Sequence, residues 1–469
     1  MLPAALLLAA FARGAAAAPK PIALSPRSPP SPFSLALGVD RGPGCAGAAS
    51  IGAQLRGAGT ALIRTHDAGV LDWCVLFPDP AADPADPASY RWAAGDAYFK
   101  SILDAGFAPY LRLGASWSAP SPACTAPDAA TFAAVAVKTL AHYNDGLWGG
   151  FSGRRVAAVE IFNEPDEPRF WNRSADAFHE LFDATARALK AYDAALVVGG
   201  PGVAQPLANA SYPYSFGLLD FAAARGTPMD FFSWHSYGAI AAPPAAWGHS
   251  PEQIYGRTIG AVEAALAARG LGRLKQHVTE WQPAILGNAS VTGSAEAASF
   301  TAAALSLMAA APSVAVSVFY PGCEGTGPDG SWGMFLDYGN GTTAYRREGR
   351  AWAAVGATLR DAPLALRADF APEADFTVLA GANAAGTLAS VVVAARASAY
   401  DALALAVPLA GAAGGAAARA AVAVLLLDGE SAEPPQWANS TAAVEGGSVA
   451  VAVPRFAPPA VAWVLVSAL

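Results

Sequence analysis

Short apolar runs alternate with longer amphipathic segments over most of the chain. The apolar runs predict eight strands, at residues 33–39, 61–66, 108–114, 156–162, 196–202, 229–238, 276–281 and 314–322. Segments with helical spacing of apolar residues predict helices between them, at 98–106, 131–144, 175–193, 258–270 and 296–310. Buried strands joined by crossover helices indicate a parallel sheet, and eight such units in about 300 residues predict a closed (β/α)8 barrel.

From about residue 365 the pattern changes to short β-type runs separated by Gly, Pro and Asn. These runs lie at 387–397, 401–411, 420–429, 448–454 and 460–468, and they predict a C-terminal β-sandwich. The sequence therefore divides into four parts. These are a signal peptide at 1–18, a Pro-rich leader at 19–32, a barrel at 33–362 and a β-sandwich at 363–469.

Composition narrows the class of protein. Of the 469 residues, 54% are hydrophobic and only 14% are charged, which excludes a disordered or coiled-coil protein. The net charge of −8 and the absence of a Lys/Arg run argue against a nucleic-acid partner.

Several features predict export to a secreted or lumenal (extracellular, lysosomal or vacuolar) location. The apolar stretch within residues 1–18 is followed by small residues, as in a signal peptide, and is too short to span a membrane. Five N-x-Ser/Thr triplets offer glycosylation sites, at Asn172, Asn209, Asn288, Asn340 and Asn439. The four cysteines form no CxxC pair and predict one or two disulfides, with four buried free thiols as the alternative.

Distinctive polar residues follow the predicted barrel strands, where active sites of such barrels lie. They are Arg64 and His66, Asn163 and Glu164, His235 and Tyr237, and Glu280. Two glutamates that face each other across a cleft are what cleavage of a glycosidic bond requires, since one must be protonated and the other ionised. The alternatives are a structural salt bridge between Glu280 and Arg64 and a core role for His235.

The end of the fourth strand poses a geometric problem. Asn163 and Glu164 are adjacent, so a regular strand would point them to opposite sides. Both reach the cleft only if the strand end departs from regular pleating, and Pro165 is a reason to expect this. We expect Pro165 to favour extended geometry at Glu164. We also expect the indole of Trp281, beside Glu280, to offer an apolar face to a sugar ring.

Six stretches together carry a family resemblance. "IRTH", "FNEPD", "VVGGPG", "DFFSWHSYG" and "VTEW", with the segment from residue 90 to 114, occur in the order typical of glycoside hydrolase family 39. This family of clan A contains β-xylosidases and α-L-iduronidases, and the resemblance covers residues 33–360. It implies a retaining enzyme that needs neither cofactor nor metal and acts on glycosides, oligosaccharides or polysaccharides by double displacement.

The resemblance also implies residue roles. Glu164 would be the general acid/base and Glu280 the nucleophile, with Asn163 holding the sugar 2-hydroxyl. Tyr237 would hydrogen-bond the nucleophile, and Arg64 would lie beneath it as a charge partner. His66 and His235 would line the donor-sugar subsite.

Departures from the family pattern affect the expected substrate. Iduronidases carry a basic residue after the histidine of strand six, whereas "WHSYGA" has none, which favours a neutral sugar, with xylose first. The eighth strand lacks the tryptophan common in the clan, so Phe319, Tyr320 and Trp332 are the candidates to replace it. The remaining alternatives are an iduronidase, a β-glucosidase, an endo-acting enzyme and a non-catalytic carbohydrate-binding barrel.

The cysteines fall in predicted loops after strands one, two, three and eight. Four cysteines allow three connectivities. Because strand eight closes against strand one, the pairing Cys45–Cys323 with Cys74–Cys124 is geometrically reasonable.

Overall fold

The computed structural model describes residues 19–45, 50–117, 124, 128–153, 155–238, 250–283, 291–324, 332–397, 400, 402–409, 418–429 and 435–469. The predicted signal peptide at 1–18 and the triplet at Asn288 lie outside these residues. The other four triplet asparagines, Asn172, Asn209, Asn340 and Asn439, are exposed. Within the described ranges, no helix combines the length and the hydropathy needed to cross a membrane.

Eight parallel strands close into a barrel, as predicted. After strand β1 (Lys20–Pro26), the barrel strands are β2 (Ala36–Asp40), β3 (Thr60–Arg64), β4 (Ala108–Leu113), β5 (Ala158–Ile161), β6 (Val198–Val203), β7 (Phe231–Tyr237), β8 (Lys275–Gln282) and β9 (Val314–Phe319). Strand β9 pairs in parallel with β2 and so closes the ring. Every carboxyl end therefore meets at one face of the barrel.

Helices surround the barrel and cover its outer face. They are α1 (Gly52–Gly57), α2 (Trp73–Leu76), α3 (Trp92–Asp104), α4 (Ala129–Asp145), α5 (Ala175–Tyr192), α6 (Phe216–Arg225), α7 (Arg257–Ala268), α8 (Ala295–Ala310) and α9 (Arg347–Asp361). Helix α5 shows how the sequence specifies them. The Ser174 hydroxyl accepts a hydrogen bond from the Ala177 amide and caps the helix, and Phe178, Leu181 and Phe182 form its buried face.

The C-terminal region forms the predicted β-sandwich. Its strands are β14 (Leu364–Asp369), β15 (Phe376–Ala382), β16 (Leu388–Ala395), β17 (Leu403–Pro408), β18 (Arg419–Leu427), β19 (Ala438–Ala443), β20 (Ser448–Val453) and β21 (Ala460–Ala468). The short strands β10 (Cys323–Glu324), β11 (Trp332–Gly333), β12 (Phe335–Asp337) and β13 (Thr343–Tyr345) precede them. The strand order is β19-β18-β21-β16-β15-β14-β1-β17-β20, and the sheet surrounds its own apolar core.

Strand β1 corrects the expectation of a Pro-rich leader outside the two domains. It pairs antiparallel with β14 and parallel with β17, so the chain enters the structure through the sandwich before it builds the barrel. Ile22 and Leu24 alternate with exposed positions and enter the sandwich core, which explains why a proline-flanked segment is ordered.

The apolar cluster of the barrel continues into one side of the sandwich. Helix α8 is buried on all its faces because the barrel lies on one side and the sandwich on the other. Leu379, Val392 and Leu427 of the sandwich belong to the same apolar cluster as the barrel interior and its helices. The sandwich therefore supports the side of the barrel that carries α8 and α9.

Two disulfides fix loops at the carboxyl face of the barrel. Cys45 is joined to Cys323, and Cys74 is joined to Cys124. The first bond links the loop after β2 to the segment after β9, which are neighbours because the barrel closes there.

Candidate active site

A cleft of about 380 Å³ opens at the carboxyl ends of the barrel strands. Its walls include His66, Glu164, Tyr237 and Glu280, which the sequence predicts, together with Tyr320. Residues in β7 and β8 and just after β3 and β5 thus converge on one site, although they are far apart along the chain.

The end of β5 departs from regular strand geometry, as the sequence analysis requires. Phe162 and Glu164 both have positive φ values, 81° and 43°. The expectation of extended geometry at Glu164 is therefore wrong. The Glu164 amide donates to the Gly202 carbonyl at 2.9 Å, and this bond helps to hold a conformation that costs on the order of 1–3 kcal/mol for a non-glycine residue.

Arg64 is fully buried beneath the cleft and organises the acidic groups. Its Nε donates to Glu160 Oε2 at 2.7 Å, and its Nη2 donates to Asn163 Oδ1 at 2.7 Å. Its Nη1 contacts Asp40 Oδ1 at 3.2 Å and Glu280 Oε2 at 3.3 Å. One guanidinium therefore serves three carboxylates and orients the Asn163 amide.

Glu280 lies among hydrogen-bond donors. Tyr237 donates its hydroxyl to Glu280 Oε1, and His66 Nε2 lies 3.5 Å from Oε2, the oxygen that also faces Arg64. Burial raises the pKa of Glu280 to about 7, the Glu164 charge reinforces this rise, and Arg64 and the Tyr237 hydrogen bond oppose it.

Glu164 has a different environment. Burial, reinforced by the charges of Asp166 and Glu167, raises its pKa to about 8, against the opposing effect of Arg64. Its Oε1 lies 2.8 Å from His235 Nδ1. One ligand atom each from Glu164, His235 and Glu280 lie within 4.8 Å of one another, so the two carboxylates face each other closely.

The hydrogen bonds of His235 define its tautomer. Its Nε2 lies 3.5 Å from Arg64 Nη2, and because arginine only donates, Nε2 must accept. Burial lowers the pKa of His235 to about 4, so the ring is neutral and its proton resides on Nδ1, from which it donates to Glu164 Oε1. With Nδ1 protonated and Arg64 below, the trio of Glu164, His235 and Glu280 suits proton transfer better than the binding of a cation.

Asn163 presents an unused donor. Its Oδ1 accepts from Arg64, which directs Nδ2 away from the guanidinium, and Nδ2 has no hydrogen-bond partner among the described residues. A buried amide donor without a partner is costly unless a ligand satisfies it.

Trp281 does not line the cleft, so the expectation of a sugar platform there is wrong. The residue is fully buried, its Nε1 donates to Ser317 Oγ, and its ring packs against Phe319 and Trp352. The reason is strand alternation: Glu280 points inward and its neighbour points outward. Phe319 is equally buried, whereas Tyr320 lines the cleft. The side chain of the third candidate, Trp332, lies outside the described part of the structure.

Several contributors to the site were not predicted from the sequence, among them Glu160, Asp67 and Trp117. Glu160 accepts from Arg64 and from Thr279 Oγ1, and its charge inside an apolar strand was an available signal. Asp67 has a positive φ of 54° and accepts hydrogen bonds from the Trp117 amide and the Tyr320 hydroxyl. Asp67 and Trp117 have no such signal, because only the fold brings their loops together.

Comparison with known proteins relates this chain to one family. The sequence model of Glycosyl hydrolases family 39 matches residues 63–306. A β-xylosidase of Caldicellulosiruptor saccharolyticus is 26% identical over 206 residues, which cover 39% of this chain and 36% of that protein. A β-xylosidase of Geobacillus stearothermophilus is 35% identical over 89 residues, 19% of this chain and 17% of that protein.

Solved structures share the whole fold at lower identity. A glucosidase from Croceicoccus marinus aligns with a TM-score of 0.76 and 23% identity, over 96% of this chain and 100% of that one. A β-xylosidase from Caulobacter crescentus CB15 aligns with a TM-score of 0.69 and 18% identity, over 96% and 100% of the two chains. The family match spans more than half of the sequence, and the chain belongs to family 39 of the glycosyl hydrolases.

Proposed function

We propose that this protein is a retaining glycoside hydrolase that removes a terminal neutral sugar, with β-xylosides as the first candidate substrates. The observation that carries the proposal is the approach of Glu164 and Glu280 oxygens to within 4.8 Å. Retaining enzymes separate their two carboxyl groups by about 5–5.5 Å, whereas inverting enzymes leave about 6.5–9.5 Å for a water molecule.

The surroundings of the two glutamates support different roles. In the proposed first step, Glu280 attacks the anomeric carbon while Glu164 gives its proton to the departing glycosidic oxygen. In the second step, Glu164 takes a proton from water, the water oxygen attacks the same carbon, and Glu280 is released. Because His235 donates to Oε1 of Glu164, the transferable proton belongs on Oε2.

Asn163 and Arg64 have supporting roles in this proposal. The free Nδ2 of Asn163 is a donor for the sugar 2-hydroxyl, a contact that strengthens as the sugar acquires positive charge. The positive charge of Arg64 lies beside Glu280 and favours its ionised form, but Arg64 is fully buried and does not reach the substrate.

The charge of the cleft supports a neutral substrate. Asp67, Glu164, Glu167 and Glu280 line it, and the nearby Arg64 is buried against other carboxylates. A sugar carboxylate would meet like charges without an exposed cation among the described lining residues, at a cost in binding.

The decisive experiment measures hydrolysis of a panel of aryl glycosides, β-xyloside first, by the wild type and by Glu164→Ala and Glu280→Ala. Azide should rescue Glu280→Ala with an inverted glycosyl azide and Glu164→Ala with a retained one. Glu180→Ala, which removes an exposed glutamate on α5, is the matched control and should keep full activity.

The outcomes separate the alternatives. Full activity in both active-site variants would refute the assignment. A wild type that binds xylo-oligosaccharides but hydrolyses no member of the panel would instead indicate a carbohydrate-binding barrel. Release of single sugars from a xylo-oligosaccharide would support action at chain ends, and release of longer products would indicate endo action.

A further inference from the structure

Trp117 is an exposed indole in the wall of the catalytic cleft. It is 58% exposed, and among the described large apolar residues that are exposed it is the one that lines this cleft. A tryptophan at such a position leaves much of its apolar surface in water unless a ligand covers it.

The indole is held in place before any ligand binds. The Trp117 amide donates to Asp67 Oδ1 at 2.9 Å, and its carbonyl accepts from Arg169 Nε at 2.9 Å. The Arg169 guanidinium also lies over the ring, 4.6 Å from its centroid. Because these contacts already hold Trp117 in place, binding to its ring costs little conformational entropy.

A series of rings leads from the base of the cleft to Trp117. His66, whose Nε2 lies 3.5 Å from Glu280 Oε2, is 3% exposed. Its ring lies 6.4 Å from that of Phe170, which is 5% exposed, and Phe170 lies 5.9 Å from Trp117. Trp117 is therefore at the outer end of the cleft, beyond a sugar whose anomeric carbon meets Glu280.

The position of Trp117 along the cleft is on the side of the proton donor. Arg169 and Phe170 belong to the tight turn that begins at Glu164, in which the Glu167 amide donates to the Glu164 carbonyl and the Phe170 amide to the Glu167 carbonyl, each at 2.9 Å. The leaving group must lie beside the residue that protonates it. We infer that Trp117 is the stacking platform for the ring of the leaving group, either a second sugar or an aromatic aglycone.

This inference rests on the proposed function, and leaving groups of different size can test it. The donor sugar is the one that the aryl glycoside panel identifies, for instance xylose. The substrates are then its β-linked disaccharide, its 4-nitrophenyl glycoside and its glycosyl fluoride, whose leaving group is too small to reach the indole. All three share the glycosyl-enzyme intermediate, so kcat/KM isolates contacts to the leaving group.

We expect Trp117→Ala to lower kcat/KM for the disaccharide about tenfold, which corresponds to about 1.4 kcal/mol, and to leave the fluoride within about twofold. Trp117→Phe should retain most of the activity on the disaccharide, because it keeps an aromatic face. Loss on the disaccharide alone would identify a sugar site, and loss on the 4-nitrophenyl glycoside as well would extend it to aromatic rings.

Trp437→Ala is the matched control. Trp437 is 38% exposed, packs edge-on against Trp463 in the sandwich and should affect no substrate. An active enzyme in which Trp117→Ala changes the disaccharide and the fluoride by the same factor, or changes neither, would overturn this inference and leave the proposed function intact. A wild type that hydrolyses none of the substrates would overturn both.

Discussion

The hydrogen bond from Tyr237 to Glu280 gives a quantitative prediction about the pH dependence of activity. Tyr237→Phe removes only the hydroxyl that donates to Glu280 Oε1 and keeps the ring that packs in the site. A hydrogen bond to a charged group contributes about 1.5–3 kcal/mol, and one pKa unit corresponds to about 1.4 kcal/mol. The loss should therefore raise the pKa of Glu280 by about 1–2 units from its value of about 7.

The sign of the effect on rate follows from the proposed roles. Glu280 must be ionised to attack, so kcat/KM falls as the pH decreases through its pKa, and a higher pKa moves this acidic limb to higher pH. Glu164 must be protonated to donate, so its pKa of about 8 sets the basic limb. In Tyr237→Phe the two limbs meet, and the maximum rate should fall while the optimum narrows.

The assay is kcat/KM for an activated aryl glycoside between pH 5 and pH 9, a range that brackets the limbs near about 7 and 8. Tyr320→Phe is the matched control, because its hydroxyl also lies at the cleft but donates to Asp67. It should leave the acidic limb where it is in the wild type. A Tyr237→Phe profile reduced equally at every pH would refute the reasoning, since it would mean that the hydroxyl does not stabilise the ionised carboxylate.

Three further predictions concern stability. Arg64→Met leaves buried carboxylates without their cation and should cost about 3–5 kcal/mol in urea unfolding, whereas Lys100→Met at an exposed ion pair should cost less than about 1 kcal/mol. Glu164→Gln should raise the free energy of unfolding at pH 8 by on the order of 1–4 kcal/mol and change it little at pH 4. The folded state raises the pKa of this acid from 4.5 to about 8, so its ionisation destabilises the fold only above its ordinary pKa. Equal melting temperatures of variant and wild type at pH 8 would contradict this. Replacing Cys74 and Cys124 with serine removes a bond that closes a loop of 50 residues and should lower the free energy of unfolding by about 2–4 kcal/mol. An unchanged unfolding midpoint would show that this disulfide does not constrain the unfolded chain.

The barrel was predictable because parallel strands buried on both faces give continuous apolar runs. Strand β19 (Ala438–Ala443) shows where that signal fails, since its side chains are almost all exposed and small or polar. Strand β1 (Lys20–Pro26) was missed for another reason. Its first residue is a buried lysine whose Nζ contacts Glu373 at 2.7 Å, and no local pattern predicts that distant partner.

The residues of the candidate active site divide in a similar way. Glu280 and Glu164 could be predicted because each follows an apolar strand that a barrel directs to the same face. The error at Trp281 was avoidable, since the alternation applied to Asn163 and Glu164 also places Trp281 opposite Glu280. The positive φ values at the end of β5 could not be predicted, because the carbonyl of Gly202 that fixes the turn comes from the next strand.

The roles proposed for the two glutamates follow from what surrounds them more than from their position. The side chains of Glu280 and Glu164 are only 8% and 14% exposed, and this burial alone would raise both pKa values. Arg64 and Tyr237 donate to Glu280 and favour its ionised form, whereas acidic neighbours favour the protonated form of Glu164. Neutral His235 donates to one oxygen of Glu164 and leaves the other for the proton. Under the proposed mechanism the same side chain would act as a nucleophile at one strand end and as an acid at another, because, of the two glutamates, only Glu280 directly contacts Arg64 and the Tyr237 hydroxyl.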